Sequence, residues 1–523
     1  MASMRDGRLS PRRLPSLVFF LLALALGAPS AGAQPLCEPY GEEMSAAEIA
    51  RHELELRERA PVRDAALARS VRIVNDSRPG EVAPFARPAG GGRPATIGVP
   101  RGYRRLQCLL IQMQFHFIWN TFPRDRALAA IVEGCADAGS PLIDCVRDLA
   151  VDLTAAAEGR AGFGVTNPED FRKLVDDAFL DNLLHEFGHI VLGHFARRAD
   201  NENYGRMETE ADTYALIGNV LSGASPSGSA SAFAILSMVD ARLPRGGGGH
   251  GRFACRALSA FDVMRALYIP TNDVANWIAE TPAEYLARRA DPGVVSFDRV
   301  HVIGDTNGCN RERNPAIAAV RRDLDALISL LDRLAQSGGE GREARIAAAE
   351  AVASLPLRTE SAKRLKLNTA ILALRRIEQS DRGPPDRRTL ALTNRLLAHP
   401  ERMLMQSAAY GWLLETSAIL TYEGAPPGRQ LDALNRELRA KLLEAESYRP
   451  SSRRIALRLG LLELMDGRCD AALAYFGRTA DPPASESGAG SEAAPFVEAM
   501  RRLGCIGARA RLRDVVRGSH RWR

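Results

Sequence analysis

The sequence is poor in lysine, in closely spaced cysteine pairs and in long apolar runs. Only four of its 69 basic residues are lysine, and the formal charge of +6 falls to +3 once the first 33 residues, with four arginines and one aspartate, are set aside. A charge this close to balance gives no argument for nucleic acid binding. Because no Cys-x-x-Cys pair occurs, neither a redox motif nor a zinc ribbon is indicated.

The only long apolar run lies at the amino terminus. Four arginines precede an apolar stretch at 14–28, and Ala31-Gly32-Ala33 supplies the small residues of a cleavage site, so residues 1–33 are predicted to be a signal peptide. The apolar stretch is shorter than the roughly 20 residues that a transmembrane helix needs. We therefore expect a soluble, exported bacterial protein, periplasmic or secreted, unless the signal stays uncleaved as an anchor.

Eight cysteines follow the leader, at positions 37, 108, 135, 145, 255, 309, 469 and 505. An even number in an exported chain predicts disulfide bonds. Proximity along the chain favours the pairs Cys135–Cys145, Cys255–Cys309 and Cys469–Cys505. Each would stabilise a local loop by about 2–4 kcal/mol.

The chemistry of the chain is concentrated in the run His185-Glu186-Phe187-Gly188-His189. Positions four apart share one face of a helix, so both histidines can present a nitrogen to one zinc ion. Glu186 can then act as a general base on a metal-bound water. The spacing of a metzincin is absent, since Leu192 and Phe195 stand where its glycine and third histidine would be.

Two downstream segments offer further polar side chains. His194 falls on the far side of a continuing helix, so it is predicted to be a surface or outer-sphere residue and not a ligand. Glu208, nineteen residues after His189, is the better third ligand. Asp212, one turn later on the same face, is placed to accept a hydrogen bond from a ligand histidine. Glu210 points elsewhere and is expected to be solvated or salt-bridged.

The two segments together, His185-Glu186-Phe187-Gly188-His189 and Glu208-Thr209-Glu210-Ala211-Asp212, resemble those of the gluzincin metallopeptidases. They are most similar to the branch with the CAAX prenyl proteases and their periplasmic bacterial relatives. The resemblance covers about residues 170–222. It implies a zincin-like core, with His185, His189 and Glu208 as zinc ligands and Glu186 as general base.

The whole chain is expected to be mainly α-helical, with a small β element in the zincin-like core. After the signal peptide we expect a helical segment and a Pro/Gly-rich linker at 34–102, of which 77–102 is the linker. We then expect the peptidase core at 103–243 and a Gly-rich, cysteine-containing cap at 244–315. A helical domain at 316–485 and a solvated basic tail at 486–523 follow. Alternating apolar residues at 111–117 favour an edge strand, and Thr166-Asn167-Pro168 favours a helix start.

One unit of the carboxy-terminal domain has tetratricopeptide-like spacing, with Leu459-Gly460, Gly467, Ala472 and Phe476. An ordinary helical domain is the alternative. If the repeats are real, their concave face would bind a peptide or a protein partner.

Two functions remain open on this evidence. The first is an exported zinc metalloendopeptidase acting on envelope or secreted proteins, with Tyr204, Tyr214 or His250 as the oxyanion donor. The second is a periplasmic binding or chaperone-like protein whose helical repeats act and whose zinc is not catalytic. A structural zinc site has four protein ligands, whereas this sequence supplies three.

Overall fold

The computed structural model describes residues 37, 39–77, 83–108, 111, 168–197, 201–222, scattered positions from 322 to 333, and 342–380, 387–425, 431–480 and 490–519. In these residues the fold is mainly helical, as predicted, with one three-stranded sheet. The predicted signal peptide, the predicted cap at 244–315 and the predicted pairs Cys135–Cys145 and Cys255–Cys309 lie outside the described residues, as do positions 112–117 of the predicted edge strand. Its first residue, Ile111, is helical.

The helices are α1 Ala46–Arg59, α2 Ala65–Ser70, α3 Pro168–Val191, α4 Asn201–Leu221, α5 Arg342–Ser354, α6 Glu360–Ser380, α7 Arg387–Leu397, α8 Ser407–Glu423, α9 Leu431–Tyr448, α10 Arg453–Met465, α11 Cys469–Ala480 and α12 Gly490–Ser519. The strands are β1 Arg72–Asp76, β2 Phe85–Arg87 and β3 Thr96–Pro100. Single 3-10 turns occupy Val62–Asp64, His194–Ala196 and Arg402–Leu404.

Helix α1 begins with a capping box. The Ser45 hydroxyl accepts a hydrogen bond from the Glu48 backbone at 3.2 Å, and the Glu48 carboxylate accepts one from the Ser45 backbone at 2.8 Å. Arg104 donates to the other Glu48 oxygen at 2.6 Å. Burial alone would raise the pKa of Glu48, but the hydrogen bonds from Ser45 and Arg104 and the Arg104 charge together lower it to about 2.

The segment 77–102, predicted to be a linker, carries two of the three strands instead. The central strand β3 pairs parallel with β1 and antiparallel with β2, so the order is β1-β3-β2. The paired residues are 9 to 24 positions apart in sequence, from Arg87 with Thr96 to Arg72 with Thr96. The Pro/Gly-rich residues 88–95 thus form the connection between β2 and β3.

This sheet and α1 pack against α3. Leu56 of α1 and Ile97 of β3 belong to the same buried cluster as Phe179, Leu183 and Phe187 of α3. A disulfide between Cys37 and Cys108 joins the segment before α1 to the segment after β3. The small β element therefore belongs to the structure that supports the motif helix.

The carboxy-terminal helices pack against α4. Leu216 and Ile217 share a buried cluster with residues of α5, α6, α7 and α8. The turn after α1 joins the same region, because the Val62 amide donates to the Met405 carbonyl at 2.8 Å and the Ser407 amide donates to the Ala60 carbonyl at 2.9 Å. Helix α4 is thus buried between the motif helix and the helical region.

Helices α10 and α11 pack together around Gly460, which lies against the Phe476 ring. The connecting turn uses Gly467 at φ +79°, a conformation that favours glycine. The predicted Cys469–Cys505 disulfide is confirmed.

The carboxy-terminal segment, predicted to be a solvated tail, forms helix α12 instead, interrupted at Gly504. Its residues Met500, Ala508 and Leu512 are buried against α10 and α11, because apolar side chains recur among the arginines. Of the helices described, none is both long and apolar enough to cross a membrane.

Candidate metal centre

The histidine motif lies in the last two turns of α3. This helix begins at Pro168, where the sequence predicts it, with Glu169 and Asp170 in its first turn. Apolar side chains around the motif are buried, including Leu183, Leu184 and Phe187. They fix the helix in the core and leave the two histidines facing α4.

Helix α4 carries the second motif and begins at Asn201, seven residues before Glu208. The two helices approach closely at Gly188: a Cβ atom added there would lie 3.3 Å from the Ala211 Cα and 3.4 Å from the Ala211 carbonyl oxygen. Gly188 lies between the two histidines in sequence, and Ala211 lies between Glu208 and Asp212. The close approach therefore brings the two motifs face to face.

The structure brings His185, His189 and Glu208 together. One donor atom from each lies within 4.8 Å of the others, a group that could hold a metal ion. The two Nε2 atoms are 3.0 Å apart, and the Glu208 carboxylate oxygens lie 3.3 Å from His185 Nε2 and 3.4 Å from His189 Nε2. Glu208 is 2 % exposed, so this carboxylate is almost wholly removed from water.

Two carboxylates flank His185 on opposite sides of its ring. Asp212 Oδ1 lies 2.8 Å from His185 Nδ1, the nitrogen that does not face Glu208. Glu186 Oε1 lies 3.8 Å from His185 Nε2, the nitrogen that does. Asp212 thus holds the ring in place, while Glu186 stands beside the donor group with its side chain buried.

His194 lies behind His189. The Nδ1 atoms of the two rings are 2.8 Å apart, and His194 Nε2 is 3.2 Å from Glu210 Oε2. Arg197 donates to the same Glu210 oxygen at 2.7 Å. Burial, followed by the neighbouring His189, lowers the pKa of His194.

The sequence predicted a surface or outer-sphere role for His194 and solvation or a salt bridge for Glu210, but it missed their connection to His189. The prediction assumed a continuing helix. Helix α3 ends at Val191, and Gly193 adopts φ +67°, which turns the chain and directs His194 back toward His189. A glycine directly before the histidine was the available signal.

Tyr214, one of three predicted oxyanion donors, uses its hydroxyl in another contact. Its hydroxyl donates to Asp64 Oδ2 at 3.1 Å, and its ring packs against Phe187. Burial, followed by the Asp64 charge, raises its pKa well above the usual value. The Tyr204 side chain and His250 lie outside the described residues.

Comparison of the chain with protein-family models, curated proteins and solved structures gives no match.

Proposed function

We propose that the protein is an exported zinc-dependent metallopeptidase that hydrolyses peptide bonds in envelope or secreted proteins. The observation that carries this proposal is the convergence of His185, His189 and Glu208, with a further carboxylate, Glu186, beside them and outside the ligand set. The resemblance of the two motifs to those of gluzincins supports the same function.

The spacing of the three donors suits zinc. A tetrahedral ion with bonds of about 2.0–2.1 Å has ligand atoms about 3.3 Å apart. Here the two Nε2 atoms are 3.0 Å apart, and each has a Glu208 oxygen beside it, Oε2 at 3.3 Å from His185 and Oε1 at 3.4 Å from His189. Two imidazole nitrogens and one carboxylate oxygen are also the donor set of many catalytic zinc sites. The residues present therefore fit the ion that the motif implies.

The residues would have three roles: holding the ion, moving a proton and orienting a ligand. His185, His189 and Glu208 would bind zinc, which supplies Lewis acidity and lowers the pKa of water in its open position. Glu186 would accept the proton of the attacking water and later deliver it to the leaving amine. Asp212 would orient His185 through Nδ1, keeping Nε2 directed at Glu208.

The ligand count favours catalysis over a structural ion. In the described part of the chain the donor group has three members, whereas structural zinc sites use four protein ligands. The alternative function, a chaperone-like protein acting through α10, α11 and their neighbours, would keep the same ion without turnover. The α10–α11 pair suits one tetratricopeptide-like unit that could bind a protein partner.

Zinc content and peptide cleavage of the mature protein, measured for the wild type and Glu186→Gln, test the proposal. We expect bound zinc in both and cleavage reduced by about 10²–10⁴-fold in the variant, because only the proton carrier is lost. Glu169→Gln, at the exposed start of the same helix, is the matched control and should cleave normally. Zinc without cleavage in the wild type would favour the chaperone-like alternative.

A further inference from the structure

The proposed zinc ligands His185 and His189 have unlike surroundings on the side away from Glu208. Behind His185 is a carboxylate, Asp212, in direct contact at 2.8 Å. Behind His189 is a second imidazole, His194, at 2.8 Å. His194 is 4 % exposed, so its ring is removed from water.

The contacts of the second imidazole specify where its proton lies. If His189 Nε2 binds a metal, its Nδ1 carries the hydrogen and must donate. The atom it meets is His194 Nδ1, which must then be the acceptor, so the hydrogen of a neutral His194 ring is on Nε2. That nitrogen is 3.2 Å from Glu210 Oε2, an acceptor. In both contacts, His189 with His194 and His194 with Glu210, a donor then faces an acceptor.

Arg197 fixes Glu210, the last member of this series of hydrogen bonds. It donates to Glu210 at 2.7 Å and to the Leu192 carbonyl at 3.1 Å. It therefore ties Glu210 of α4 to the end of α3. The turn at Gly193 gives His194 its position, so the arrangement is built into the backbone.

We propose that His194 is a positioning residue that links His189 to the Glu210 carboxylate, so that both ligand histidines are oriented by a carboxylate, one directly and one through a second imidazole. This inference rests on the proposed zinc site. It requires an acceptor at the His194 Nδ1 position, which is more specific than a requirement for a buried ring.

Zinc affinity of His194 variants, measured by competition with a chelating indicator, tests that requirement. Loss of an outer-sphere partner typically weakens metal affinity by about 10–100-fold, and we expect this for His194→Ala. His194→Asn should bind zinc more tightly than His194→Ala or His194→Gln, because the asparagine amide oxygen can occupy the Nδ1 position while the glutamine amide matches Nε2. A merely structural role would not separate asparagine from glutamine.

The matched control is His52→Ala. His52 is also fully buried and also contacts a carboxylate, Glu55, at 3.0 Å, but it belongs to α1 and not to the donor group. We expect lower stability with unchanged zinc affinity. Nitrogen-15 NMR of the histidine rings in the zinc-loaded wild type should show hydrogen on His189 Nδ1 and on His194 Nε2.

The outcomes distinguish the two proposals. A wild type that takes up no zinc would overturn the proposed function and this inference together. Zinc binding by the wild type with equal affinity in His194→Ala and His52→Ala would overturn the inference alone, as would hydrogen on His194 Nδ1.

Discussion

The close approach of α3 and α4 at Gly188 gives a quantitative prediction for Gly188→Ala. An added Cβ would meet the Ala211 Cα at 3.3 Å, its carbonyl oxygen at 3.4 Å and its Cβ at 3.5 Å. Two of these atoms are backbone, so they can move away only if α4 shifts as a whole. The substitution therefore tests whether helix separation controls the metal centre.

Two opposing contributions set the change in stability. Alanine gains about 1 kcal/mol over glycine in an unobstructed helix. Overpacking a tight contact costs about 1–3 kcal/mol. We expect Gly188→Ala to be destabilising by about 0–2 kcal/mol after these are combined. The effect on zinc should be larger, because Ala211 is within one turn of Glu208 and metal–ligand distances tolerate only about 0.2 Å.

The measurements are urea unfolding of the zinc-free protein and zinc affinity by indicator competition. Gly477→Ala is the matched control, since Gly477 is also within a helix but nothing lies within 4 Å of its added Cβ. It should gain about 0.5–1 kcal/mol with unchanged zinc affinity. Adding Ala211→Gly to Gly188→Ala should restore affinity only partly, because it removes one of the three contacts. Equal stabilisation by both alanines, with equal zinc affinity, would refute the argument.

Two further predictions concern the amino-terminal region. Glu48→Gln should reduce the acid sensitivity of urea unfolding. Because the pKa of Glu48 is lower in the native state, its carboxylate stabilises the fold above the ordinary pKa of 4.5, and this stabilisation is lost as the pH falls toward 2. Replacing Cys37 and Cys108 by serine should lower the free energy of unfolding by about 4 kcal/mol, because the bond closes a loop across 71 residues; urea unfolding without reductant measures it.

Each has its own control. Glu43→Gln, at an exposed position nearby, should leave the acid profile of unfolding unchanged, and an identical change in both variants would contradict the role of Glu48. For the disulfide, reductant should destabilise the wild type more than the double serine variant. Equal sensitivity of the two proteins would count against the Cys37–Cys108 bond.

The features that could be predicted from sequence are local ones. The start of α3 follows from Asn167-Pro168 and the acids after it, and the alignment of His185 with His189 follows from helical phase. Cys469 and Cys505 lie on two successive helices, so proximity along the chain was enough to pair them.

The features that were missed depend on distant contacts or on one backbone angle. The strands β1 and β3 are neighbours in the sheet although β2 lies between them in sequence, so their pairing is not local. The short strand β2 has too few residues for a periodic signal. Cys37 and Cys108 are 71 positions apart in sequence, so the tertiary fold and not proximity along the chain brings them together. The contact between His194 and His189 was missed because helical phase no longer applies once Gly193 turns the chain.

The donor group depends on more of the chain than its two motifs. The side of α3 away from α4 is buried by α1 and the sheet, and the side of α4 away from α3 is buried by the carboxy-terminal helices. Gln406 joins the end of α4 directly, donating to the Gly218 carbonyl at 2.7 Å across 188 residues of sequence. Since neither helix can move without disturbing one of these contacts, the spacing between His185 and Glu208 is held by the fold, and the motifs alone supply only the ligand atoms.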